Sequence, residues 1–268
     1  ANGAILPLIV FTALFAAAAG TMPEESRNRM IMGAEDISAA LIKLVWWILW
    51  LAPIGVFGLI APATAQMGWG LIQSLGVFIL SVAIGLTILA LEIFVPLLWV
   101  LAKIQPTAFF KGITGAISIA FSTTSTAAAI PVSREEATRN IGVSETTADL
   151  VIPLGASMYR PGSALFQGAA IIFLAHIFGV PIELADAGAI LFATFLVSLT
   201  VAPVPSSSVV TMAPALLSVG VPVSGLGLML GIDRIPYMMR SAVNVSGQIA
   251  AAACVDQNRE DPAGGLER

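Results

Sequence analysis

Two apolar membrane segments of this chain are each broken by a run of hydroxyl residues and proline. From Ile72 to Ala102 the only charged residue is Glu92, and from Ala187 to Ile232 there is none. Spanning the hydrocarbon core takes roughly 20 apolar residues. The breaks fall at Ser122-Thr123-Thr124-Ser125-Thr126 with Pro131, and at Pro203-Val204-Pro205-Ser206-Ser207-Ser208. Each leads into an interrupted helix with an arginine: Arg160 before Pro161-Gly162, and Arg240 after Asp233 and Pro236. Irregular backbone at bilayer depth persists only where protein or a watery cavity satisfies its N–H and C=O groups. Paired breaks at matching places in two halves point to the binding site of a secondary transporter.

Composition agrees. Charged residues make up 10% of the 268, hydrophobic residues 57%, and mean hydropathy is +0.94. A soluble domain is about 25% charged, so this chain belongs in a bilayer. The net charge of -4 has no run behind it and points to no nucleic-acid partner. Cys254 is the only cysteine, which excludes an internal disulfide and a cysteine-based zinc site. No serine–histidine–acid arrangement, phosphate loop or metal-ligand spacing is present, so no enzyme and no cofactor are expected. Residues 1–20 are apolar without a preceding basic region, so no secretory signal is read there. The chain opens already inside a helix, and an incomplete chain is expected.

Along the chain, residues 4–19 predict a short apolar helix, and Met22 to Arg29 a loop. A helix opened by Asp36 is expected to run through Trp46, Trp47 and Trp50 to about Ala65, with Pro53 inside it; indoles favour the membrane–water interface. Residues 71–103 predict a long span. Residues 106–138 have basic flanks on both sides (Lys103, Lys111, Arg134 and Arg139), so a segment entering and leaving on the cytoplasmic face is expected: a re-entrant helical hairpin. Residues 145–179 cross, interrupted near Pro161. The link with Glu183 and Asp186 suits the outer face, residues 187–220 repeat the hairpin from that side, and residues 225–255 cross back. The tail 256–268 is expected to be cytoplasmic and disordered. The expected fold is an all-α polytopic membrane protein with an inverted repeat of re-entrant hairpins and broken transmembrane helices.

An arginine at the centre of a span costs about 2.5–3.5 kcal/mol even on the lenient insertion scale, so Arg160 and Arg240 should face a cavity or a partner. Their planar forks match carboxylates. The bland alternative is an internal ion pair of Asp233 with Arg240 or Arg160. Asp233 and Arg240 lie seven residues apart, on one face but without direct contact expected. Arg234 lies on a different face and is expected only to anchor its helix. Asn244, one turn beyond Arg240, is a candidate for a substrate polar group or a cation. Ser125 and Thr126, with the N–H groups of a hairpin tip, are candidate anion donors, although such hydroxyls also bond back to their own helix. His176 reads as an interfacial histidine. Glu92 reads as a proton carrier or as packing against a polar neighbour.

At these residues the chain resembles the dicarboxylate/amino acid:cation symporters, the family of the glutamate transporters. The matching motifs are Ala52-Pro53-Ile54-Gly55-Val56-Phe57, Ile152-Pro153-Leu154-Gly155-Ala156 and Gly162-Ser163-Ala164-Leu165-Phe166-Gln167-Gly168. They continue with Leu230-Gly231-Ile232-Asp233, Arg240 and Val243-Asn244-Val245-Ser246-Gly247. The resemblance starts where such proteins have their fourth helix, which implies that the first three are absent. It implies a multi-pass protein of the plasma membrane (the inner membrane in a bacterium) working as a homotrimer. Residues 1–66 would be static scaffold and residues 70–255 a transport domain moving like an elevator, with the second hairpin as gate. The tip at Ser125 and Thr126, the second tip at Val204 to Ser208 (Ser206 included), Arg240 and Asn244 match positions that hold substrate, and Arg240 the one that grips its side-chain carboxylate; Arg160, Asp233 and Tyr237 are further candidates for substrate contact.

The departures from the family pattern carry as much weight. Its Asn-Met-Asp-Gly-Thr motif reads Tyr159-Arg160-Pro161-Gly162-Ser163, so a cation-binding aspartate has become proline. The aspartate for the substrate's amino group is Tyr237, another sodium ligand is Gln248, and gate glycines are Pro203, Ser206 and Ser208. Three carboxylates lost and one arginine gained shift the cavity by about four charge units, against a buried Na⁺. The expected function is therefore transport of an acidic organic solute, a dicarboxylate before an amino acid, with sodium coupling weakened or replaced by H⁺. The alternative is an ordinary sodium-coupled symporter with weak Na⁺ sites on carbonyls near Gly155, Tyr159, Ser198 and Asn244. A non-transporting binding protein or an anion channel is the third possibility.

Overall fold

The structure, a computed structural model, describes residues 5–198 and 206–256, and every element within them is helical. The chain divides into two compact units, residues 1–57 and 58–268.

The first unit holds α1 (Ile5–Gly20), α2 (Glu24–Trp50) and the start of α3 (Ala52–Met67). Two sequence expectations fail here. The stretch from Glu24 is helix and not loop, because Pro23 precedes an acidic first turn that suits the helix dipole. Arg29 also pairs with Glu25 one turn back, at 3.2 Å. Asp36 lies inside α2, and the chain breaks at Leu51, which leaves Pro53 in the first turn of α3 where a missing N–H costs nothing. Trp47 and Trp50 are exposed on α2.

In the second unit α4 (Trp69–Leu89) continues through two wider π turns, Ala90–Phe94 and Leu97–Ala102, and stops at Lys103 with φ 53°. Pro96 between the π turns has no N–H and crowds the carbonyl one turn back, which favours the wider pitch on either side. Trp69–Ala102, 34 residues with a mean hydropathy of 2.5 over an 18-residue window, is the one helix among the described residues long and apolar enough to cross a membrane. Glu92 is exposed on its first π turn.

α5 (Pro106–Gly112) and α6 (Thr114–Thr123) lead to a two-residue tip, from which α7 (Thr126–Arg139) returns. Thr124 is left-handed at φ 55°, and Ser125 caps α7 by accepting from the Ala128 N–H at 3.2 Å. At the other end the Glu136 carboxylate accepts from the Gly115 and Ala116 N–H groups, at 3.0 and 2.8 Å. α8 (Glu145–Met158) and α9 (Pro161–Ile177) are separated at Tyr159-Arg160, the break expected near Pro161. α10 (Leu184–Ser198), α11 (Ser207–Thr211) and α12 (Ala213–Ser218) occupy the second hairpin region; its tip residues through Pro205, Val204 among them, lie outside the described residues, as does the tail beyond Asp256. A 3₁₀ turn (Val223–Gly225), α13 (Leu226–Ile232) and α14 (Arg234–Val255) complete the chain.

Two apolar cores form. One gathers α4, α9, α10, α11, α12 and α13 around Phe78, Phe166 and Met212. The other gathers the end of α4 with α5, α6, α7 and α8 around Phe109, Ile113 and Ile152. α14 serves both: Met239 and Val243 pack on the first, and Val245, Ile249 and Ala253 are buried in the second. Gly247 permits the close approach, since a Cβ there would lie 2.6 Å from the Tyr159 ring and 2.7 Å from that of Phe94. Gly247→Ala is expected to destabilise the protein by about 1–3 kcal/mol through overpacking. An unchanged thermal midpoint would show that the rings yield freely.

A buried arginine site between two helix breaks

Where the two cores meet, the interior turns polar. Arg240 is 0% exposed on α14. Its Nη2 donates to Asp233 Oδ1 at 2.7 Å, and its guanidinium lies 4.0 Å from the centre of the Phe166 ring and 4.2 Å from that of Tyr237. The absence of contact expected between Asp233 and Arg240 is thus corrected. Seven residues rise roughly 10 Å along a helix. Helical side chains lean toward the N-terminus, and the long arginine stem covers much of that distance. Among the described residues Arg240 Nε and Nη1 have no hydrogen-bond partner, nor has Asp233 Oδ2. Asp233 takes only one Nη2 hydrogen, so one two-nitrogen edge of the guanidinium stays open.

Arg160 sits in the α8–α9 break at 3% exposure. Its Nε and Nη2 donate to the Ala156 carbonyl, at 3.2 and 2.9 Å, and Nη2 also donates to Thr126 Oγ1 at 2.8 Å. It caps the end of α8 and reaches the first tip at once. Tyr237, buried on α14, supplies a hydroxyl neighbour, and Arg240 lies within electrostatic range. Among the described residues the ion pairs include no carboxylate on Arg160. Its neighbours are neutral acceptors, which solvate a charge without cancelling it.

Asn244 spends both ends of its amide on α9. Oδ1 accepts from the Gly162 N–H at 2.9 Å, one of the first-turn donors that a helix leaves unpaired, and Nδ2 donates to Ser163 Oγ at 3.2 Å. Of the candidate sodium positions, the Tyr159 carbonyl accepts from Gln248 Nε2 at 3.2 Å, and the Gly155 carbonyl accepts the Tyr159 N–H at 2.8 Å. Ser198 Oγ donates to the Phe195 carbonyl at 2.7 Å. Tyr159, Arg160 and Ser198 line a half-open, largely apolar cavity of about 870 Å³ with Leu165, Ile190 and Thr194. Ser206 has φ 58° at the head of α11.

Several contacts had no signal in the local sequence. Gln167, fully buried, donates from Nε2 to the Ser208 carbonyl at 2.9 Å and to Thr211 Oγ1 at 3.3 Å, tying α9 to α11; a lone amide in the apolar run Ala164–Ile172 was the available hint. Arg234 links the head of α14 to the first tip. It donates to Thr124 Oγ1 at 3.1 Å and to the Ser122 carbonyl at 3.3 Å. His176, exposed, is in the last turn of α9.

Paired interruptions of otherwise apolar helices are the pattern that secondary transporters place at their binding sites. A sequence description of the sodium:dicarboxylate symporter family matches residues 1–258, and the chain belongs to that family. It is therefore an integral membrane protein of a symporter family. It is 31% identical over 260 residues to the proton/sodium-glutamate symport protein of Bacillus subtilis (strain 168), covering 96% of this chain and 59% of that protein. It is 29% identical over 257 residues to the proton/glutamate-aspartate symporter of Escherichia coli (strain K12), covering 95% and 58%. It is 31% identical over 254 residues to human excitatory amino acid transporter 2, covering 94% and 44%. The chain thus spans about half the length of these relatives.

Proposed function

We propose that the full-length protein is a secondary-active symporter of small acidic organic solutes, with dicarboxylates favoured over amino acids. The observation that carries this is Arg240: a wholly buried guanidinium whose Nε and Nη1 are unpaired is a seat for a carboxylate. Among the described residues the buried charged groups are Arg160, Arg240 and Asp233, a net positive set that favours an anion. Tyr237 offers a hydroxyl where an ammonium would need an anion. An ammonium about 5 Å from Arg160 would be repelled by roughly 3 kcal/mol at an effective dielectric constant of 20.

Ser125, Thr126 and Ser206 would complete the anion site from the hairpin tips, with Asp233, Tyr237 and Asn244 positioning Arg240 and α9. α6, ten residues long, rises roughly 15 Å, half a hydrocarbon core, so the first tip would lie near mid-bilayer. Residues 70–255 would move as an elevator against scaffold helices in 1–66, within a homotrimer in the plasma membrane. Arg160 would replace a coupling cation, leaving weak sodium dependence or proton coupling; the Gln248 amide already occupies the Tyr159 carbonyl. A second reading, an ordinary sodium-coupled glutamate or aspartate symporter, is favoured by the names of the relatives.

Uptake of labelled succinate, malate, aspartate and glutamate by full-length protein in proteoliposomes, with and without a sodium gradient, separates the two. Sodium-independent succinate uptake is expected, and sodium-driven aspartate uptake would overturn it. Arg160→Met with Pro161→Asp, which removes the built-in cation and returns a carboxylate, is expected to introduce sodium dependence. An unchanged sodium response would remove Arg160 from that role.

A further inference from the structure

The tip of the first hairpin is gripped from two sides. Arg234, at the head of α14, donates to Thr124 Oγ1 at 3.1 Å and to the Ser122 carbonyl at 3.3 Å. That carbonyl belongs to the last turn of α6, whose carbonyls lack helical partners and carry the negative end of the helix dipole. Thr124 is 1% exposed and held at φ 55°, a conformation that costs a β-branched residue free energy and so needs fixing from outside. Its hydroxyl donates to the Thr123 carbonyl at 2.6 Å, which turns its lone pairs toward Arg234. Two residues on, Thr126 Oγ1 accepts from Arg160 at 2.8 Å. Ser125, between the two gripped threonines, caps α7.

We propose that Arg234 is a positioning residue for the anion site. It holds the strained first tip so that Thr126 and the opening turn of α7 stay at the place where Arg160 reaches them. This rests on the anion-binding reading of Arg240. Without Arg234, the last carbonyls of α6 lose their cation, Thr124 relaxes out of the left-handed region, and Arg160 loses a fixed acceptor. The anion then meets a looser site although no group that touches it has been removed.

The test uses the full-length protein in detergent, with succinate as probe. Arg234→Met is expected to weaken succinate binding about tenfold, because two hydrogen bonds from a charged donor are lost, and Arg234→Lys to recover most of it. Ser122→Cys on a Cys254→Ser background reports the tip, since Ser122 is exposed and its hydroxyl bonds only carbonyls of its own helix. Maleimide labelling at position 122 is expected to quicken about fivefold in Arg234→Met and to slow again in Arg234→Lys. Unchanged succinate affinity, or unchanged labelling, overturns the proposal. If Arg234→Met does not fold, Thr124→Val removes one acceptor and no charge, and is expected to weaken succinate about threefold; no weakening there also overturns it. Arg240→Met serves as control. Succinate bound normally by Arg240→Met overturns the site itself, whereas lost binding there beside an unaffected Arg234→Met overturns only the role of Arg234.

Discussion

Arg240→Met will weaken succinate binding by about a hundredfold or more, the usual result of truncating a buried charge that pairs with a ligand. The guanidinium is fully buried against Phe166 and Tyr237, and its Nε and Nη1 have no hydrogen-bond acceptor among the described residues. Methionine fills a similar volume, so the change removes donors more than packing. Arg240→Lys should recover little, because an ammonium keeps the charge but cannot present two parallel N–H groups. Calorimetric titration of the full-length protein reads both variants. Binding within threefold of the parent would place the anion elsewhere.

Asp233→Asn acts in the opposite sense. Removing one partner of a buried pair leaves an uncompensated charge and costs about 3–5 kcal/mol. An anion on Arg240 would restore the missing negative charge, and a ligand that binds only the folded state stabilises it by mass action. The ligand-free variant should therefore unfold at a clearly lower temperature than the parent, and succinate should raise its midpoint by more than it raises the parent's. Equal midpoints and equal succinate shifts would mean that Asp233 and Arg240 contribute nothing to each other.

The interruptions at Ser122 to Thr126 and at Tyr159-Arg160 are legible from local chemistry. Proline at the first position of α5 and α9 and the hydroxyl run at Ser122 to Thr126 are signals that act within a few residues. What went unread depended on side-chain length or on chain segments far apart. Spacing along the axis hides the Asp233–Arg240 contact, because it leaves out the reach of an arginine. Arg234 finds Thr124 across 110 residues, and no pattern near Arg234 names that partner. The polar composition of the first turns of α2 suits a loop, although Glu25 and Arg29 stand at helical spacing. The exchange of Asp for Gln248 was visible, but its donation to the Tyr159 carbonyl belongs to the fold.

α14 is synthesised after every element it packs against. Until its 22 residues enter the membrane, both apolar cores lack a wall and Arg160 lacks Tyr237. Biogenesis would therefore pass through an inserted intermediate with an open centre. A chain stopped before Arg234 would carry every earlier described helix and still leave both cores unfinished.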